Sequence, residues 1–319
     1  MPRRPAPLLA LVIPCYNEEA VLQETTFASL AALLEKLKAG GKISAESFAL
    51  YVNDGSSDRT WQLIEERHAR DPFCRGICFA ANAGEQNAIW AGMDKARDLN
   101  ADCTISVAAD LQDDLAAIPE MIEHYRDGSD IVFGARNDRS LDSAFKRRTA
   151  EGFYALMKAI GVRLVPNHAD YRLVGRKVLN VLPRIHDQTL FTRGLFPSLG
   201  FAASVVYYKR QERRAGESKY PLSKMLGLAM HGITSCSVAP LRLAGLFSCL
   251  CMLLALIACG YALASYFSGS AVSGWTSLII VSLFLGAVQL LCLALMGEYI
   301  ANIFTEVRRR PRYIVDREL

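Results

Sequence analysis

A chain of 319 residues is long enough for one large domain plus something extra. Its 51% hydrophobic residues are unevenly spread, and 36 Lys and Arg against 32 Asp and Glu leave a net charge of only +4, which argues against nucleic acid as the main partner. Nine cysteines without a CxxC pair and five scattered histidines (His68, His124, His168, His186, His231) show no metal-ligand spacing, which excludes a zinc site of the usual kind.

The N-terminus does not have the layout of a secretory signal. Arg3 and Arg4 are basic, but the apolar run Leu8–Ile13 is too short and ends at Pro14. Leu8–Pro14 reads instead as a first strand, and Glu18–Ala39 as a helix. Phe48–Asn53 is predicted as a strand that ends in Asp54-Gly55-Ser56-Ser57-Asp58, with a helix to about Arg70. Gly76–Ala80 reads as a strand, followed by a turn at Asn82 and Gly84 and a helix to about Leu99. The run Cys103–Ala108 predicts a strand that leads into Asp110-Leu111-Gln112-Asp113. A helix over Leu115–Tyr125 and a strand over Asp130–Gly134 follow. Strands alternating with helices predict a mostly parallel, doubly wound sheet.

From Ser140 to about Gly200 the pattern is mainly helical and rich in Arg, and Val205–Gln211 reads as one more strand. Leu222–Val238 is predicted as an amphipathic helix lying on a membrane surface. No charged residue occurs from Leu243 to Phe267 or from Gly274 to Gly297. Each run makes a helix of roughly 35 Å, enough to cross a ~30 Å hydrocarbon core. The connector 268–273 is short and uncharged, which predicts a tight hairpin. Arg242 before the first span and Arg308, Arg309, Arg310 and Arg312 after the second put both flanks in the cytoplasm. There thiols stay reduced, so Cys249, Cys251, Cys259 and Cys292 read as small apolar fillers. The basic residues from Lys209 to Lys224 and after Glu306 suit anionic lipid headgroups.

Three polar clusters fall at successive strand ends: Pro14-Cys15-Tyr16-Asn17-Glu18-Glu19, Asn53-Asp54-Gly55-Ser56 and Asp110-Leu111-Gln112-Asp113. In open α/β sheets, ligands bind at the carboxyl edge. A strand-end Asp there accepts hydrogen bonds from a base N–H or ribose hydroxyls, and Gly55 permits the turn that aims Asp54. Oxygens of Asp110 and Gln112 suit a hard divalent cation held against phosphates. The alternative role for Asp110 is N-cap of the helix near Leu115. A cationic group, Arg136, Lys146, Arg147, Arg193, Arg213 and Lys219, suits phosphate contacts. Arg213, Ser218 and Lys219 lie just before the membrane-surface segment, at the height of a phosphate anchored in a bilayer.

These residues resemble the GT-A, family 2 glycosyltransferases that load a sugar onto polyisoprenyl phosphate, and the chain looks most like the bactoprenol glucosyltransferases. The matching pieces are Val12-Ile-Pro-Cys-Tyr-Asn-Glu-Glu19, Val52-Asn-Asp-Gly-Ser56, Asn82 with Gly84, Asp110-Leu-Gln-Asp113, Gly134-Ala-Arg136, Lys146-Arg147 with Thr149-Ala150, Asp170-Tyr-Arg172, Arg193-Gly194, Arg213 to Pro221 and Gly297-Glu-Tyr299. The resemblance implies an α/β fold: a Rossmann-like GT-A domain over 1–221, then a membrane-surface segment over 222–240, a two-span transmembrane hairpin over 241–305 and a basic cytoplasmic tail over 306–319. It implies inverting transfer of one sugar from a nucleoside diphosphate sugar, a UDP-hexose, to undecaprenyl phosphate at the bacterial inner membrane, and a homotetramer. Pro14, Tyr16, Glu18 and Asp54 would bind the nucleotide. Asp110 and Gln112 would bind Mg²⁺ or Mn²⁺ and the donor diphosphate. Arg136, Arg147, Arg213, Ser218 and Lys219 would hold the donor or acceptor phosphates.

The chain departs from that pattern at Ala108, where the family's Asp-x-Asp pair has its first Asp, and at Ala81, Glu85, His168 and Ala169. These departures motivate a second expectation, a non-catalytic member that binds lipid or partner subunits. A processive synthase is excluded by the absence of Gln-x-x-Arg-Trp, since Trp occurs only at 61, 90 and 275.

Overall fold

Strand β1, Leu9–Cys15, is apolar almost throughout and buried on both faces. That is the mark of a strand sandwiched between helices, which reads as a run rather than an alternation. Its odd positions Leu9, Leu11 and Ile13 pack with Leu30, Leu34, Ile118 and Met121 on one side of the sheet, while Val12 packs with Ala88 and Ala91 on the other. The computed structural model describes residues 3–137, 165–188, 190–209, parts of 241–261 and 275–319.

In chain order the elements are β1; α1 (Glu19–Val21); a π-helical turn (Leu22–Thr26); α2 (Phe27–Ala39); β2 (Phe48–Asn53); α3 (Thr60–His68); β3 (Cys74–Phe79); α4 (Glu85–Asp98); β4 (Cys103–Ser106); a 3₁₀ turn (Leu115–Ala117); α5 (Ile118–Arg126); β5 (Ile131–Arg136); β6 (His168–Gly175); α6 (Arg176–Leu179); a 3₁₀ turn (Leu182–Arg184); α7 (Thr192–Ser198); β7 (Ala203–Tyr208); α8 (Trp275–Arg308); and β8 (Val315–Glu318). One eight-stranded sheet has the order β7-β5-β6-β4-β1-β2-β3-β8. The pairs β4-β1, β1-β2, β2-β3 and β5-β7 are parallel, and those of β6 and β8 are antiparallel. The α/β domain with a mostly parallel sheet is therefore as the sequence predicts. Helix α4 lies so close to β1 that a Cβ on Gly92 would fall 2.2 Å from Val12 Cγ1.

Two strands differ from the sequence expectation. β6 lies inside the stretch read as mainly helical. Its Asp170 and Arg172 hide the strand pattern, although Arg172 is only 2% exposed. The expected basic tail contributes β8, which pairs with the sheet edge at β3. Tyr313 stacks on Phe79 at 5.0 Å, and the Arg312 guanidinium lies 4.8 Å over the Trp90 ring.

The chain divides into two units, residues 1–220 with Arg309–Leu319, and Pro221–Arg308. In the second, α8 carries the stretch Phe284–Arg308, the one helix among the described residues that is long and apolar enough to cross a membrane. Residues 222–240 and most of the first expected span lie outside the described residues.

Candidate active site

The loops after β1 and β2 are stitched together at the carboxyl edge. Asn17, in a left-handed conformation (φ 55°), accepts the Ser57 N–H at 2.9 Å. The Asn17 N–H donates to Ser56 Oγ at 3.0 Å, and the Glu18 N–H to Thr60 Oγ1 at 2.9 Å. Tyr16 is half exposed beside them. Gly55 (φ 62°) is required, because a Cβ there would meet the backbone of Ala81 and Asn82 at 2.6 Å.

That close approach lets Asp54 organise the loop ahead of α4. Its buried carboxylate accepts from Ala83 N–H (2.6 Å), Gly84 N–H (2.9 Å) and Asn82 Nδ2 (3.0 Å). Burial pushes the Asp54 carboxyl up, and the Ala83 and Gly84 N–H groups oppose that rise. Asp54, expected as a nucleotide ligand, thus has three donors within the chain and acts as the keystone of loop 82–84.

At the end of β4, the Gln112 N–H donates to Asp110 Oδ1 (3.2 Å) and its side-chain Nε2 to Asp110 Oδ2 (2.7 Å). The capping role considered for Asp110 belongs to Asp114, whose Oδ1 accepts the Ala116 N–H at 2.9 Å. Leu111 between them is left-handed (φ 51°).

Next to this loop, Tyr208 at the end of β7 donates its hydroxyl to Asp113 Oδ1 at 2.6 Å and accepts from Arg136 Nε at 3.3 Å. Sequence reasoning missed Tyr208, since nothing local ties it to residues so far away in the chain. It joins Arg136 to the segment that carries Asp110.

A second charged group lies on β6 and α7. Asp170 accepts from Thr192 Oγ1 (2.8 Å), from Arg193 (3.2 Å) and from buried Arg172. Burial raises its carboxyl, but the Arg172 and Arg193 guanidiniums outweigh burial and hold it at about 2. Glu85 opens α4 between the two groups. Burial pushes its carboxyl up, the charge of Asp170 adds to that, Arg193 opposes it, and Asp110 and Asp113 raise it further. His168 is 4% exposed, with Nδ1 2.7 Å from the Val165 carbonyl.

The structure thus brings Asp110, Gln112, Asp113, Arg136, Glu85, Asp170 and Arg193 together. Pro14, Tyr16, Glu18 and Asp54 stand at the adjacent strand ends. Lys146, Arg147, Arg213, Ser218 and Lys219 lie outside the described residues. For a divalent cation, the donor set offers one carboxylate, Asp110, and one amide, Gln112. Among the described residues no group of three His, Cys, Asp or Glu could hold a metal ion. Hard cations of the Mg²⁺ type bind through one or two carboxylates completed by substrate phosphates and water, and the pair fits that requirement at its minimum.

Residues 10–196 match the family model "Glycosyl transferase family 2". An "Uncharacterized glycosyltransferase YkoT" of Bacillus subtilis is 44% identical over 98% of this chain and 92% of its own length. A "Prophage bactoprenol glucosyl transferase homolog" of Escherichia coli is 35% identical over 97% of this chain and 98% of its own. The "SfII prophage-derived bactoprenol glucosyl transferase" of Shigella flexneri is 36% identical over 96% and 97%.

Proposed function

The chain belongs to glycosyl transferase family 2, and from that premise we propose that it transfers one sugar from a nucleoside diphosphate sugar, a UDP-hexose, to a polyisoprenyl phosphate, undecaprenyl phosphate. The observation that carries this reading is the Asp110–Gln112 loop. It sets the Asp110 carboxylate and the Gln112 side chain side by side at a strand end, with Arg136 held close by through Tyr208 and Asp113. Relatives that carry the bactoprenol glucosyl transferase name over nearly the whole chain support the lipid acceptor.

In this reading Pro14, Tyr16, Glu18 and Asp54 line the nucleotide end, and Asp54 also holds loop 82–84. Asp110 and Gln112 would hold Mg²⁺ or Mn²⁺, which would supply Lewis-acid stabilisation of the leaving diphosphate. Arg136 and Arg193, with Arg147, Arg213, Ser218 and Lys219, bind donor and acceptor phosphates. The acceptor phosphate is anionic at neutral pH, so its oxygen attacks the anomeric carbon without prior deprotonation. The sugar's bond to the diphosphate breaks on the opposite face, and the configuration inverts. Placement of that oxygen in line is the main work of the cationic residues.

The membrane side of the proposal rests on α8 and its flanking arginines. We take 241–305 as two spans, 222–240 as a surface segment, and domain 1–221 as lying in the bacterial cytoplasm, in a homotetramer. The absence of charge from Leu243 to Phe267 and from Gly274 to Gly297 favours anchoring over lipid flipping.

The test is transfer of labelled sugar to undecaprenyl phosphate by the purified protein, with a panel of UDP- and GDP-sugars and Mg²⁺ or Mn²⁺, beside Asp110→Asn and Ala108→Asp. Transfer that falls roughly a hundredfold or more in Asp110→Asn supports the reading, since the stabilisation at stake is several kcal/mol. Full activity in Asp110→Asn would remove the metal assignment. Failure of the native chain and of Ala108→Asp with every donor would favour the non-catalytic reading that Ala108 and Glu85 motivate.

A further inference from the structure

The helix after β1 is interrupted. Between α1 and α2 lies the π-helical turn Leu22–Thr26, closed by the Phe27 N–H on the Leu22 carbonyl. A π turn holds one residue more than an α-helix needs and turns every later side chain to a new bearing, and such insertions are frequent at functional sites. Here the residue it redirects is Thr26. Thr26 is fully buried, and its hydroxyl lies 3.0 Å from the Val21 carbonyl and 2.7 Å from the carbonyl of Ala109. Thr25, half-buried, reaches only the Val21 carbonyl, at 3.3 Å.

Ala109 immediately precedes Asp110, in a loop with little local regularity. The Leu111 N–H returns to the Ala108 carbonyl at 3.0 Å, the left-handed Leu111 follows, and Gln112 folds back on Asp110. Ala108 brings no side-chain oxygen, and Asp113 is engaged by Tyr208. The aim of Asp110 therefore depends on how firmly the backbone just before it is held.

We propose that Thr26 is a positioning residue for the donor site. The π turn delivers its hydroxyl to the Ala109 carbonyl and so fixes the strand-end backbone that points Asp110 at the donor diphosphate. This rests on the reading of Asp110 as the donor-side carboxylate given above. Thr26 is fully buried, and its effect on the site passes through the Ala109 carbonyl.

The experiment compares full-length protein with Thr26→Val, which keeps the shape and loses the donor, Thr26→Ser, which keeps the donor, and Thr25→Val as the neighbouring control. Three quantities are read: hydrogen exchange of the amides over 108–113, Mn²⁺ affinity by electron paramagnetic resonance, and kcat against KM for the donor sugar. In Thr26→Val, exchange at Leu111 and Gln112 should accelerate, and Mn²⁺ affinity and kcat/KM should each fall, by about tenfold, the scale of one lost buried hydrogen bond. Thr26→Ser should restore most of both, and Thr25→Val should match the native protein. Native exchange and Mn²⁺ affinity in Thr26→Val would overturn the proposal, as would equal losses in Thr26→Val and Thr25→Val. Should Thr26→Val fail to fold, Thr26→Cys, a weak donor of similar size, takes its place with the same expectation. If the native protein transfers no sugar, the enzymatic reading fails, and the exchange comparison, which needs no ligand, still upholds or overturns the positioning role.

Discussion

His168 makes acid lability of the catalytic domain predictable. Burial lowers its pKa first, and the Arg172 charge adds to this, so the ring titrates at about 4 in the fold against an ordinary 6.5. The folded state keeps the imidazole neutral, while the unfolded chain takes up a proton below 6.5. Stability therefore falls as pH drops from 6.5 to about 4 and loses no more from this group below that. At about 1.36 kcal/mol for each tenfold change in proton affinity, the window is worth on the order of 3 kcal/mol. Replacing His168 with Phe removes the proton uptake and places an apolar ring beside Phe133, whose ring centre lies 5.3 Å from that of His168. Urea unfolding followed by the fluorescence of buried Trp61 and Trp90 between pH 7.5 and 4 measures the difference. The native protein should lose about 3 kcal/mol more than His168→Phe over that range. Parallel pH profiles for the two proteins would refute the reasoning.

Asp170 continues the trend at lower pH: held at about 2 against 3.8, it keeps its stabilising contribution above 3.8 and loses it as pH falls through that interval, so Asp170→Asn should flatten the acid limb of the melting curve below pH 4. Gly55→Ala forces a Cβ into the Ala81–Asn82 backbone at a left-handed φ, and should cost more than about 1 kcal/mol and lower the melting midpoint by several degrees in differential scanning fluorimetry. Tyr208→Phe takes from Asp113 a 2.6 Å hydroxyl donor and from Arg136 an acceptor, a loss of about 1–3 kcal/mol, and steady-state assays should show transfer slowed roughly fivefold to a hundredfold. Removal of residues 312–319 uncovers the β3 edge and strips the ring contacts to Phe79 and Trp90, so size-exclusion chromatography should show self-association of the shortened chain.

The alternation of strands and helices up to β5 is legible because central parallel strands are apolar on both faces. Leu9–Cys15 and Phe48–Asn53 stand out as runs against the mixed helices between them. β6 is not legible, since Asp170 and Arg172 break its run and find each other only in the fold. β8 is a charged Val-Asp-Arg-Glu edge strand that sequence reads as a tail. At the site, the clustering of polar residues after the apolar runs puts Asp54 and Asp110 at strand ends, where the structure has them. Which of two nearby Asp residues caps the 3₁₀ turn depends on the phase of a loop with a left-handed Leu111, and the structure gives it to Asp114. Tyr208 and Thr26 act on partners that are remote in sequence, and no local pattern announces such contacts.

The order of strands has a consequence for how the protein is made. β3 leaves the ribosome early, but the strand that completes its edge is encoded beyond the long apolar helix α8, roughly three quarters of the chain later. The first unit is begun first and finished last, and until Val315–Glu318 emerges its growing sheet carries an open flank. Synthesis that stalls anywhere within α8 would leave a nearly complete domain with an exposed β3, a shape that chaperones and proteases can distinguish from the finished one. The closing strand therefore forms only after the whole of α8 has been made.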